Sequence, residues 1–71
     1  MMLNERLKSL RLQSGVTQKA IADGIGVTPV SVQRFEYGSA KPKLDTVIKI
    51  ADFFKVSVDY LLGRTSNPRV A

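Results

Sequence analysis

Pro29, Val30, Gln33 and Arg34 stand at a spacing that leaves them together on the outward surface of a short helix. They give it apolar, amide and guanidinium groups. Such a mixture suits hydrogen bonding and apolar contact, and the rest of the chain offers little chemistry of another kind. The 71 residues contain no histidine and no cysteine, which removes the two commonest ligands of zinc and transition metals and any disulfide framework. Neither a metal site nor a cofactor site is expected. Asp45, Asp52 and Asp59 alternate with hydrophobes and read as caps and helix-surface charges, not as a catalytic carboxylate pair. No Ser-Lys or carboxylate arrangement stands at a usable spacing, so an enzyme is not expected. Eleven Lys or Arg against six Asp or Glu leave a formal charge of +5. That balance points to a polyanionic partner, nucleic acid ahead of an anionic membrane surface, although it also serves solubility.

The elements that must position these side chains are legible from apolar spacing and punctuation. At 44% hydrophobic and 24% charged, the chain suits one small globular domain and not a disordered tail. Leu3, Leu7 and Leu10 mark one stripe of a first helix. Gly15 closes it, and Val16 followed by Thr17 reads as an apolar staple and a cap for a second helix over 18–25, with Ile21, Ala22 and Ile25 buried. The small Ala22 lets another helix cross at close range. Gly26 supplies positive φ at a tight turn, Val27 packs inward, and Thr28-Pro29 opens a third helix running to Tyr37, with Val32 and Phe35 facing the core. A loop over 38–43 carries Lys41, Pro42 and Lys43. Leu44, Val47, Ile48, Ala51 and Phe54 predict the buried stripe of a fourth helix, and Ser57 caps a short fifth helix ending at Gly63. Residues 64–71 have little apolar content and are expected to fray. With no strand signal of competing strength, these features predict an all-α domain of five helices. No apolar run approaches the ~20 residues needed to span a bilayer, and no signal-peptide core is evident; a cytoplasmic protein is expected.

The stretch Thr17-Gln18-Lys19-Ala20-Ile21-Ala22-Asp23-Gly24-Ile25-Gly26-Val27-Thr28-Pro29-Val30-Ser31-Val32-Gln33-Arg34-Phe35-Glu36-Tyr37-Gly38 resembles the helix-turn-helix of the phage-repressor and Cro family. It joins a Thr-Gln helix start, an alanine at the crossing, Gly-Val-Thr at the turn and an aromatic-Glu-x-Gly close. The resemblance continues through Lys41-Pro42-Lys43-Leu44 and the segment from Ile50 to Gly63, leaving only the tail. It implies a five-helix lambda-repressor-like domain over 1–63, with 64–71 as a flexible tail, and a dimer that binds operator DNA to regulate transcription, mostly as a bacterial or phage repressor. In that setting helix three is the reader. Val30 can pack on thymine methyls, Arg34 can make two hydrogen bonds to a guanine edge, and Gln33 can contact an adenine edge or a phosphate; Pro29 offers van der Waals contact only. Pro29 departs from members carrying Gln or Asn there, which shifts specificity toward Arg34 and DNA shape. Phosphate contacts are expected from Thr17 and Gln18 at the amino end of helix two. Thr28, Ser31, Tyr37, Ser39, Lys41 and Lys43 are expected to grip the flanking backbone.

Other residues invite competing readings. The resemblance implies that Arg11 and Glu36 form an internal ion pair and are not DNA contacts. Lys8, Lys19, Lys49 and Lys55 read as solvated surface. Ile50, Phe53, Val58 and Tyr60 exceed what the fourth and fifth helices obviously bury, so they are expected at a dimer interface; the alternative is that they complete the monomer core. Two functional alternatives also stand beside the repressor: an antitoxin that binds a small partner protein and autoregulates its operon, and a protein-interaction adaptor that does not read DNA.

Overall fold

A computed structural model describes residues 2–69, and the side chain of Met2 lies outside the description. The last two residues of the tail expected over 64–71 therefore fall outside it. Five helices follow in chain order: α1 (Met2–Ser14), α2 (Gln18–Ile25), α3 (Pro29–Tyr37), α4 (Leu44–Phe54) and α5 (Val58–Leu61). No strand occurs among the described residues, and none of the helices is long and apolar enough to cross a membrane. The starts of α2, α3 and α5 follow side-chain caps. Oγ1 of Thr17 accepts from Ala20 N at 3.0 Å, Oγ1 of Thr28 accepts from Ser31 N at 3.1 Å, and Oγ of Ser57 accepts from Tyr60 N at 3.0 Å. Each satisfies an amide that the first helical turn leaves without a partner. At the α2–α3 turn Gly26 adopts φ +77° and returns its N–H to Ala22 O, a left-handed close that a side chain would strain.

The core gathers Leu3 and Leu7 of α1, Ile21, Ala22 and Ile25 of α2, Val32 of α3, Val47, Ile50 and Ala51 of α4, then Val56 and Leu61. α2 packs against both α3 and α4, while α1 touches α3 and α5. Ala22 is fully buried, as its place at the crossing requires.

On α4 the buried stripe differs from the expected one. Val47 and Ala51 are buried with Ile50, Phe54 is half-buried, and Leu44 and Ile48 are 70% and 44% exposed. From Phe53 round to Ile48 the apolar positions cover roughly 220° of the helix at 100° per residue, more than the face one set of neighbours can hide. Val47, Ile50, Ala51 and Phe54 repeat at the same intervals as the expected set, and packing against α2 and α5 selects them. The interface expected of Ile50, Phe53, Val58 and Tyr60 changes accordingly. Ile50 is completely buried and has no surface to offer a partner. Phe53, Val58 and Tyr60 are half-buried against the core. The Phe53 ring lies over Gly24 of α2 and meets Phe54 edge to face, with centroids 5.0 Å apart.

Arg6 ties α1 to α5 and the segment after it. Its guanidinium sits 4.0 Å from the Tyr60 ring centroid and donates to Tyr60 O at 2.9 Å and Thr65 O at 3.3 Å. After Gly63 the chain comes back to the start of α5, where Ser57 N donates to Pro68 O at 3.0 Å.

Candidate nucleic-acid interface

α3 begins where Thr28 caps it and Pro29 occupies the first turn without sacrificing a needed donor. Once Val32 and Glu36 are turned inward, the 3.6-residue repeat sends Val30, Gln33, Arg34 and Tyr37 outward as a single stripe. Val30 is 54% exposed and Tyr37 84% exposed, and Gln33 and Arg34 are exposed beside them. Together with Ser39 these four line one shallow hollow. Apolar surface, amide, guanidinium and phenol are thus presented side by side. Pro29 is also exposed, at the amino end of α3 and outside that hollow.

A second hollow adjoins the first, sharing Gln33 and Tyr37 and continuing over Lys8, Arg11, Gln18 and Glu36. Its floor is a charge pair in which Glu36 is buried and Arg11 half-buried. Arg11 donates from Nε to Glu36 Oε2 at 2.6 Å and from Nη2 to Glu36 Oε1 at 3.1 Å, the forked geometry that suits guanidinium and carboxylate. Nη1 of Arg11 reaches Val16 O at 3.5 Å, and Gln18 Nε2 donates to Glu36 Oε1 at 3.2 Å. Glu36, only 8% exposed, therefore joins α1, α2 and α3 at one point. The internal pairing implied for Arg11 and Glu36 is present in this geometry, whereas the link to Gln18 has no counterpart in the reading of the sequence. Its residues lie 18 positions apart, and only the packing of α2 against α3 brings them together.

The hydroxyls are partly committed. Thr28 Oγ1 lies 2.9 Å from Ser31 Oγ, so one of the two hydroxyl hydrogens lies between them and the other is free. Thr17 caps α2 as an acceptor and keeps its own hydroxyl hydrogen. Lys41 borders a third hollow with Tyr37, Gly38, Ala40 and Asn4; Lys43 is exposed at the start of α4 and belongs to none of the three. Lys8, read from the sequence as ordinary surface, lies instead at the rim of the second hollow. Its signal was its place one turn before Arg11 on the same side of α1. Lys19 pairs with Asp23 at 3.0 Å on the solvent side.

With this geometry in view, the comparisons with known proteins are specific. The helix-turn-helix family profile matches residues 7–61. The uncharacterized HTH-type transcriptional regulator YqaE of Bacillus subtilis is 41% identical over 69 residues, which are 97% of this chain and 60% of that protein. The cryptic phage CTXphi transcriptional repressor RstR of Vibrio cholerae is 38% identical over 64 residues, 90% of this chain and 57% of the repressor. This chain thus spans a little over half the length of these relatives. Among solved structures, the P22 c2 repressor in complex with a synthetic operator superposes with a TM-score of 0.81 at 23% identity, covering 86% of this chain and 92% of that one. A transcriptional regulator from Listeria innocua superposes at 0.82 with 30% identity, covering 86% of this chain and 57% of that one. The five-helix arrangement is the lambda-repressor-like fold shared with the P22 c2 repressor.

Proposed function

This chain belongs to the helix-turn-helix family, and from that premise we propose that it is a sequence-specific double-stranded DNA-binding regulator of transcription, a repressor acting as a dimer on a near-palindromic operator. The observation that carries this reading is the outward stripe of Val30, Gln33, Arg34 and Tyr37 on α3, with the amino end of α2 beside it. At 1.5 Å per residue the nine residues of α3 are about 14 Å long, and a helix enters a major groove about 12 Å wide. Val30 packs on thymine methyls, Arg34 forks onto a guanine edge, and Gln33 takes an adenine edge or a phosphate. Pro29 adds only van der Waals contact. Thr17, Gln18 and the first amides of α2 hold phosphate at the positive end of the helix dipole. Thr28, Ser31, Tyr37, Ser39, Lys41 and Lys43 steady the flanking backbone.

With Ile50 in the core, the most exposed apolar groups that α4 offers a second copy are Leu44 and Ile48. A two-fold contact would set the two reading helices about 34 Å apart, one turn of DNA. The names of the relatives, RstR above all, support repression. Selection from a random duplex library tests base preference and half-site spacing together. Arg34→Ala should relax discrimination at one base position by about 1–3 kcal/mol. A library that returns no preference, with the substitution silent on affinity, would refute the reading.

A further inference from the structure

The Gln18–Glu36 contact gives the second hollow a role that rests on the DNA-binding reading. A carboxylate oxygen only accepts, so the nitrogen end of the Gln18 amide must face Glu36 Oε1, 3.2 Å away. Glu36 cannot follow the glutamine about, because the Arg11 fork holds both of its oxygens and the residue is buried. One hydrogen of Gln18 Nε2 is therefore committed and the amide plane is held, leaving the second Nε2 hydrogen and the backbone N–H of Gln18 at the open end of α2. An exposed glutamine would have to be ordered on meeting DNA, at a cost in affinity for each flexible side chain immobilised.

We infer that Glu36 is a positioning residue for DNA binding: anchored by Arg11, it holds Gln18 ready for a phosphate before the duplex arrives. The inference runs against simple electrostatics. Removing a carboxylate beneath a DNA-facing surface raises the protein's charge from +5 to about +6 and by itself favours a polyanion. Lost positioning weakens binding instead.

A double-substitution cycle on the full chain separates the two, with affinity for the selected duplex read by fluorescence anisotropy and folding checked by circular dichroism at the same temperature. Glu36→Ala should weaken binding about three- to tenfold in the wild-type background and not at all in a Gln18→Ala background. Equal effects in both backgrounds, or tighter binding by Glu36→Ala alone, would overturn the inference. Should Glu36→Ala fail to fold, nitrogen relaxation of side-chain amides in the free wild-type protein decides it. The Gln18 amide should be markedly more ordered than that of Gln13, which is exposed; equal mobility would overturn it. The two failures are distinguishable: if Arg34→Ala relaxes preference at one base position while the cycle is additive, DNA reading stands and positioning falls. If the wild-type protein shows no base preference, both fall.

Discussion

Gly24→Ala offers a test in which two local effects oppose each other. Gly24 lies within α2 with an ordinary helical backbone, so alanine there should help by up to about 1 kcal/mol through helix propensity. The tertiary structure opposes this. A Cβ at that position would stand 2.5 Å from Phe53 Cε2 and 2.7 Å from Cδ2, when ordinary carbon contacts begin near ~3.5 Å. The ring must retreat by about 1 Å, giving up burial against α2 or its edge contact with Phe54, and overpacking of this kind costs about 1–3 kcal/mol. The net expectation is a loss of about 1 kcal/mol, which for a domain of this size lowers Tm by about 4–8 °C. Thermal denaturation followed by circular dichroism measures it. The decisive comparison is the same substitution in a Phe53→Ala background: with the ring gone, only the propensity term remains and Gly24→Ala should become stabilising. A rise in Tm in the wild-type background, or an equal effect in both, would refute the account of how α4 packs on α2.

Four further substitutions have definite expected outcomes. Lys55 closes α4 at φ +57°, a left-handed conformation costing a non-glycine residue about 1–2 kcal/mol; Lys55→Gly should stabilise by about 0.5 kcal/mol once the freer unfolded chain is counted, as urea titration would report. Ile48→Glu should shift a dimer toward monomer in sedimentation equilibrium while leaving monomer stability within about 0.5 kcal/mol; Ile50→Ala, deep in the core, should cost about 2–5 kcal/mol of stability. With Lys8 on a phosphate in each half-site, Lys8→Ala should reduce the slope of log affinity against log salt by about 2 for the dimer; an unchanged slope would return it to ordinary surface.

The helices, and the starts of α2, α3 and α5, were legible in the sequence because their determinants are local. Thr17, Thr28 and Ser57 each cap an amide three residues on, and Gly26 alone relieves the turn between α2 and α3. The outward stripe on α3 was legible for the same reason: once Val32 and Phe35 are assigned to the core, the 3.6-residue repeat leaves Val30, Gln33 and Arg34 outside. The resemblance of the 17–38 segment to repressors added the reading-helix role, which no spacing rule supplies.

What lay beyond the sequence concerns choices among chemically equivalent faces and partners distant along the chain. α4 carries apolar side chains round most of its circumference, so the pattern could not say whether Ile48 or Ile50 turns inward; docking on α2 and α5 buries Ile50. That Gly24 must lack a Cβ follows only from the Phe53 ring, 29 residues away in sequence, which packs over it. Gln18 could be read as a phosphate contact from its helix-start position, but its tie to Glu36 exists only because three helices converge on one buried carboxylate. Local hydrogen bonds and periodicity act over three or four residues and are written in order along the chain, whereas exclusion of water and mutual fit depend on which surfaces finally meet.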